Sequence, residues 1–557
     1  MNVDPIQFSP EEFYEGIIVG GGTCGLAVAA RLCEPRPDSI FTEDEHQRFH
    51  WLRQRKSKTN ILRNKPSYVS SSNFHPGELL VIDQTGNKFM QQWDNQFASC
   101  QIPHLRSPMF FHVDPLDIDG MVAFAHLNKR QDELMEITNV VGKEFSKHQQ
   151  KRLKSKLHRK SDGVVDINMR NWKDYYRPST RLFSDYCAEV VARYKLQDCV
   201  IRDSVVDVQY RLIQCGGEDI GMGFVVRTQS GKVFGCKFVV VASGHVGKVN
   251  FPLAPFANEA HFPHGACHTT HLFHQQVQFL DPKYFRDPQR KRIVIVGGGL
   301  TSAQLAHVAC RDPTVSSITL LFRSAVKIKH FDFHLDWVSK YKNFKKSIYH
   351  NQETDALRYE MMIEARGGGS INPEYLKKLN KHVKDHRLTW LQKARIASQA
   401  WNGHAWDLTI EQQQEREGGG EDEAVELRNV DYIYFATGSQ ADVKSLPFLR
   451  HMHQEHPIEV TCGYPALTDN LQWNNDVPLF MVGRNAALKI GPTSANLDGA
   501  RLGAERVGWY VQNMKLDGKF DWSPVKVEPV KSTSSAFETR LQLASGQLNW
   551  FELLNNT

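Results

Sequence analysis

The sequence predicts an α/β fold made of two units of one design, the second inserted into the first, and three observations carry that expectation. An apolar run, a glycine-rich turn and a small-residue helix stand together in "EGIIVGGGTCGLAVAARL", residues 15–32. The same layout returns in "RIVIVGGGLTSAQLAHVAC", residues 292–310. Two further apolar runs, "KFVVVASGH" at 237–245 and "VDYIYFATGSQ" at 430–440, each end in a small-small-Gly turn, one on either side of the second repeat. Runs of this kind read as strands buried on both faces, the signature of a parallel sheet covered by helices.

In the first unit Ile17, Ile18 and Val19 form the expected strand, followed by Gly20, Gly22 and Gly25 at G-x-G-x-x-G spacing. Glycine permits the tight turn, lets backbone N–H groups approach a pyrophosphate at the helix N-terminus, and brings the helix close to the strand. A second strand, "SIFTE", is expected to end at Glu43, 18 residues beyond Gly25, where an acid holds a ribose hydroxyl. This order of parts predicts a Rossmann-like unit that holds FAD. The second unit offers Gly297 and Gly299, with Ser302 where a third glycine would stand. Its next strand, "SSITLLF", leads into Arg323 and Ser324, with Lys327 and Lys329 close behind. Arginine beside a hydroxyl suits a 2′-phosphate that an acid would repel, so NADPH is expected here; a solvated charge at a strand end is the alternative. Two dinucleotides held this way would let a hydride pass from nicotinamide to flavin where the units meet.

Ala436, Thr437 and Gly438 make the turn by which the chain leaves the inserted unit, and Ala242, Ser243 and Gly244 match it conservatively. Residues 477–507 read as a last strand, a turn at Gly483 and a helix that closes over the flavin. The expected division is an FAD unit over 1–284, an NADPH unit over 285–430, the return of the FAD unit over 431–514, and a tail over 515–557.

The bulk numbers exclude several classes. With 557 residues and 41% hydrophobic content the chain can bury more than one core. A net charge of +6 over that length does not call for a nucleic-acid partner. The ten cysteines contain no C-x-x-C pair, which argues against a zinc ribbon and a dithiol reductase. No apolar run is long enough to span a bilayer, and the N-terminal residues lack the basic-then-apolar order of a secretory signal, so a cytoplasmic protein without a membrane partner is expected. The basic run "KHQQKRLKSKLHRK" at 147–160 reads as a solvated loop or helix, with a phosphate-facing patch or nuclear address as the alternative. Of the five histidines between His261 and His274, His268, His271 and His274 lie three apart, which drifts around a helix and does not converge, and no metal is expected. "ARGGGSINPEY", residues 365–375, is a glycine-rich loop or a substrate lid.

With these residues in view the chain resembles the flavin-dependent, NADPH-using monooxygenases, within them the branch that N-hydroxylates amines, similar to ornithine and lysine N-hydroxylases. "EDEHQRFHW" is similar to the segment in which an aromatic pair, here Phe49 and Trp51, follows the ribose acid. "SCQIPHLRSP" supplies Gln101 and Arg106 where the branch carries a glutamine and, five residues later, a lysine that touch flavin and substrate or nicotinamide. Pro178, Arg181, Phe183 and Tyr186 match a helix motif, and His268 with Thr269 matches a His-Ser segment between the domains. The chain departs from the pattern at Leu52, Arg106 and Ala495 to Leu497, all substrate-side positions, which leaves the substrate open. The resemblance implies that NADPH reduces FAD, that the reduced flavin takes up oxygen as a hydroperoxide, and that a small nucleophile, foremost an amine nitrogen, receives one oxygen atom. It makes Arg106 and His268 the catalytic candidates and allows a homo-oligomer. A flavin oxidase or reductase releasing hydrogen peroxide, and a non-enzymatic nucleotide-binding regulator, are the competing expectations.

Overall fold

The computed structural model describes residues 4–34, 73–138, 140, 175–244, 249–250, 265–338, 342–413 and 423–516. Glu43, Phe49, Trp51, the basic run 147–160 and the chain beyond 516 lie outside them.

Two parallel sheets form the frame. In the first, strands Val200–Arg202, Leu79–Asp83, Phe13–Val19, Val233–Val241 and Leu479–Met481 run parallel side by side. Strand Val233–Val241 changes partner along its length. Its first half pairs with the antiparallel hairpin Val205–Cys215 and Glu218–Thr228, and its second half with Leu479–Met481. Ile17, Ile18, Val239, Val240 and Val241 are fully buried, as strands with cover on both faces require. The second sheet runs Ala266–His268, Tyr432–Phe435, Lys291–Val296, Val315–Phe322 and Thr389–Gln392, again all parallel. An antiparallel ribbon, Ala394–Trp401, Trp406–Gln412 and Glu423–Val430, flanks it. The chain therefore builds one α/β unit, leaves it after Val241, builds the second, and returns to the first sheet at Leu479, the inserted arrangement that the repeats predict.

Two details differ from expectation. Strand Phe13–Val19 has Val233–Val241 on one side and Leu79–Asp83 on the other, so the place expected for "SIFTE" is taken by "LLVID". The spacing rule assumes a short crossover, and here the chain between helix Thr23–Cys33 and its parallel strand is far longer. Strand pairing also carries the second sheet from Ala266 to Phe435, past 285–430 at both ends, because Tyr432–Phe435 hydrogen-bonds to Lys291–Val296 and Ala266–His268 to Tyr432–Phe435.

The inserted unit reaches back across the seam. Between Val315–Phe322 and Thr389–Gln392 the chain makes an excursion whose Phe331, Phe333, Trp337, Tyr349, Met362 and Ala365 join the core of the first unit. The Tyr349 hydroxyl donates to the carbonyl of Ala487 (2.7 Å). Burying so much aromatic surface ties the two units together over the space between them.

Candidate active site between two dinucleotide turns

At the first turn the three glycines have separate tasks. Gly20 has a left-handed backbone, φ 109°, and a Cβ there would lie 2.6 Å from the Ala242 carbonyl oxygen. A Cβ on Gly25 would lie 2.0 Å from the Gly20 oxygen, so this glycine lets helix Thr23–Cys33 sit down on the turn. A Cβ on Gly22 would meet nothing within 4 Å. Gly22 opens the helix without a side-chain cap, and with no atom near its Cβ position the turn suits the close approach of a pyrophosphate to the helix N-terminus. The turn is pinned from outside. Gly21 N donates to Asp83 Oδ2 (2.7 Å) and Met90 N donates to the Gly21 carbonyl (2.8 Å). Gly483, φ 67°, closes the far side, where a Cβ would stand 3.0 Å from Cys24 Sγ. The residues fit FAD.

The second turn repeats this geometry. A Cβ on Gly297 would lie 2.3 Å from the Ala436 oxygen, and one on Gly299 would meet nothing within 4 Å. In both units the left-handed glycine rests on the alanine of the small-small-Gly turn, which explains why the two motifs come in pairs. Ser302 replaces the third glycine. It is fully buried and its hydroxyl lies 2.6 Å from the Gly297 carbonyl and 2.7 Å from that of Gly299, so it ties the turn and does not face the groove. Arg323, Ser324 and Lys327 line the same cleft of about 1320 Å³ as Gly297 and Gly299, with Arg323 and Ser324 exposed at its wall. A basic strand end beside an open helix N-terminus fits the 2′-phosphate and pyrophosphate of NADPH. Thr437 Oγ1 donates to the Asn250 carbonyl and Asn250 N to that of Gly438 (2.9 Å), which locks the crossing turn.

A smaller cleft of about 670 Å³ lies between the units. Gln84, Gln92 and Gln96 line it from the first unit, His268 and Thr301 from the second, and Arg484, Ser494 and Ala495 from the returning chain. It shares Thr301, Arg366, Ala436 and Gly438 with the dinucleotide cleft, so the two are continuous. His268 caps helix Thr269–Phe273, its Nδ1 2.9 Å from Thr270 Oγ1. Burial pushes its pKa down to about 4, against a bond from the ring to the Gly438 backbone that raises it, so the ring is neutral at physiological pH. Arg484 donates to Ser439 Oγ (2.9 Å) and to the Ser439 carbonyl (2.6 Å), joining the return of the first unit to the crossing turn.

Two expected site residues stand elsewhere. Gln101 lies at an exposed left-handed position, φ 45°, in an outer recess with Gln278 and Arg311. Of the glutamines that reach the central cleft, Gln92 and Gln96 belong to helix Gln91–Ser99, which starts against the first glycine turn, and Gln84 follows strand Leu79–Asp83. Arg106 borders the dinucleotide cleft, but its guanidinium is turned into the protein, with Asp332 Oδ1 2.6 Å and the Lys329 and Phe331 carbonyls 2.8 Å away. With its donors committed it holds a loop and does not present them to a substrate. "LLVIDQTG" was the signal for Asp83 and Gln84, an apolar run ending in an acid before a turn. Nothing in the sequence singled out Gln92, Gln96 or Arg484.

Residues 171–441 match the family model L-lysine 6-monooxygenase/L-ornithine 5-monooxygenase, in line with the resemblance read from the motifs. No curated protein matches the chain. Among solved structures, the reduced form of ornithine hydroxylase from Pseudomonas aeruginosa shares 14% identity at a TM-score of 0.57, over 90% of this chain and 99% of that one. An ornithine N-hydroxylase from Kutzneria sp. 744, solved with reduced FAD, NADP+ and L-ornithine, shares 13% at 0.57, over 90% and 100%. The FAD-bound cadaverine monooxygenase of the desferrioxamine pathway from Erwinia amylovora shares 13% at 0.53, over 94% and 99%. Likeness at this identity establishes the fold, two Rossmann-like units in the inserted order.

Proposed function

We propose that this chain, whose residues 171–441 carry the lysine/ornithine monooxygenase match, is an FAD-dependent, NADPH-using monooxygenase that places one oxygen atom on the nitrogen of a small amine. The observation that carries the reading is a pair of glycine turns of one design, one in each unit, the second beside a basic strand end in a cleft that runs on into another lined by both units. Gly20, Gly22, Gly25 and Gly483 would hold FAD; Gly297, Gly299, Arg323, Ser324 and the turn Ala436 to Gly438 would hold NADPH. When bound and reduced, the flavin supplies the activated oxygen. The balance is R–NH2 + NADPH + H+ + O2 → R–NHOH + NADP+ + H2O.

The chain's own part is to admit the amine with its lone pair free. Among the described residues the central cleft contains no aspartate or glutamate, while Arg366 and Arg484 border it and His268 stays neutral. Positive neighbours without a carboxylate favour the neutral amine over the ammonium ion, and only the neutral form can take the oxygen. The excursion that joins the core of the first unit brings Met362, Ile363 and Arg366 to the wall of this cleft. No helix among the described residues is long and apolar enough to cross a membrane. All ten cysteines are free thiols, which suits the reducing cytoplasm where NADPH is supplied.

The test gives flavin-loaded protein NADPH, oxygen and a panel of small amines, and follows NADPH, hydroxylamine and hydrogen peroxide together. Hydroxylamine matching NADPH for one amine is expected. Hydrogen peroxide matching NADPH with every amine would make the protein an oxidase, and no NADPH loss at all would make it a nucleotide-binding regulator; either rejects the monooxygenase.

A further inference from the structure

Arg106 belongs to the first unit, yet its side chain is built into the second. Nε donates to the His330 carbonyl (2.9 Å), Nη1 to Asp332 (2.6 Å), and Nη2 to the Lys329 and Phe331 carbonyls (both 2.8 Å) and to Ser370 Oγ (2.9 Å). The segment it grips is paired with the glycine-rich loop that follows helix Asp355–Arg366. Lys329 N donates to the Ile371 carbonyl (3.0 Å) and Ile371 N to that of Lys327 (2.9 Å). Lys327 Nζ and Lys329 Nζ donate to the carbonyls of Gly367 (2.7 Å) and Arg366 (2.9 Å).

This loop is a strap across the dinucleotide turn. At its centre a Cβ on Gly369 would lie 2.9 Å from the Gly298 carbonyl carbon and oxygen and 3.0 Å from Gly299 N. At one end Arg366 donates to the Pro492 carbonyl (3.1 Å), on the returning chain of the first unit. At the other end stands Arg106, and beyond it Arg177, also from the first unit, pairs with Glu374 at the start of helix Pro373–Lys384. Both anchors thus come from the flavin side, while the middle of the strap touches the peptide that a nicotinamide dinucleotide must approach.

We propose that Arg106 is a positioning residue, which holds the strap Arg366 to Ser370 on the second glycine turn and so sets where the nicotinamide dinucleotide lies relative to the flavin unit. The inference rests on the reading of that turn as an NADPH site. Lysine cannot replace it, because one ammonium offers three donors from a single point where this guanidinium uses a planar fork to reach six acceptors, the Ser370 carbonyl (3.4 Å) included. A second change reaches the same element from its other face: Gly369→Ala puts a methyl into the backbone of Gly298 and lifts the strap.

The experiment compares wild type, Arg106→Lys and Gly369→Ala, each loaded with FAD. NADP+ binding is measured by calorimetry, strap protection by amide hydrogen exchange, and the two half-reactions separately, flavin reduction by NADPH and reoxidation by oxygen after reduction with dithionite. Both variants are expected to keep full flavin content and wild-type reoxidation, to lose protection over residues 366–371, to bind NADP+ at least ~10-fold more weakly, and to take hydride from NADPH at least ~10-fold more slowly. Equal loss of flavin and of both half-reactions would mean a merely structural residue, and unchanged NADP+ binding with wild-type reduction would mean that the strap does not position the cofactor; either overturns the proposal. If wild type itself fails to bind NADP+, the NADPH reading falls first and the inference with it.

Discussion

A glycine in a nucleotide turn serves either the chain or the ligand, and the first turn separates the two. Gly20 and Gly25 have protein backbone where their side chains would be, whereas Gly22 has open space. Gly22→Val is therefore expected to give folded protein, with a thermal midpoint close to wild type, that emerges without flavin colour. Gly25→Ala is expected to destabilise the fold by about 1–3 kcal/mol or more, since its methyl overlaps a carbonyl that helix and strand hold in place. Denaturant titration of the flavin-free proteins, together with absorbance of the loaded ones, checks both. A yellow, fully loaded Gly22→Val would remove the first turn from the FAD site.

Among the elements, the pair formed by helix Thr23–Cys33 and helix Leu497–Leu516 decides how the returning chain closes the first unit. Arg31, with no exposed side-chain surface, pairs with Glu505 (2.5 Å) and donates to Gln512 Oε1 (2.9 Å), and the absence of a side chain at Gly508 makes room for it. A buried pair contributes little net stability over a well-packed apolar pair, but half a pair is costly. Glu505→Ala is expected to lose ~3–5 kcal/mol in urea unfolding, and the double change Arg31→Met with Glu505→Leu to recover most of it. If the double variant were as unstable as the single one, the pair would be holding the helices by something other than charge compensation.

For the molecule as a whole, buried neutral imidazoles set the acid limit. His112, fully buried, accepts from Asp114 N at Nδ1 (3.2 Å) and approaches the Ile118 carbonyl through Nε2 (2.9 Å). Burial, with Arg501 nearby, pushes its pKa down to about 4 against the pull of Asp114, and burial does the same to His268. An unfolded histidine titrates near ~6.5, so between that pH and 4 the unfolded chain binds protons that the folded one refuses. Stability from these groups is thus fully present above ~6.5 and is lost as pH falls toward 4. Urea midpoints at pH 7.5, 6 and 5 should fall in that order, and His112→Asn should flatten the slope. A pH-independent midpoint over this range would mean that these rings are protonated in the folded state.

Both glycine turns, the crossing turns that meet them, the inserted order and the basic strand end at Arg323 were legible in the sequence, because each is a contiguous stretch whose geometry is set by neighbours a few residues away. The strand beside Phe13–Val19 is "LLVID" and not the expected "SIFTE", because distance along the chain says nothing about which segment fills that slot. That slot is filled by hydrogen bonds to Gly16 through Val19, and "LLVID" won it. The motif puts Arg106 against substrate or nicotinamide because charge and motif position are visible in a sequence, whereas the carbonyls that consume the charge, over two hundred residues away, are not. The local motifs by themselves thus determined the two glycine turns, the basic strand end and their order along the chain. Only the tertiary structure decided which residues face them, since a side chain's partners are chosen by whichever distant backbone the packing brings within reach.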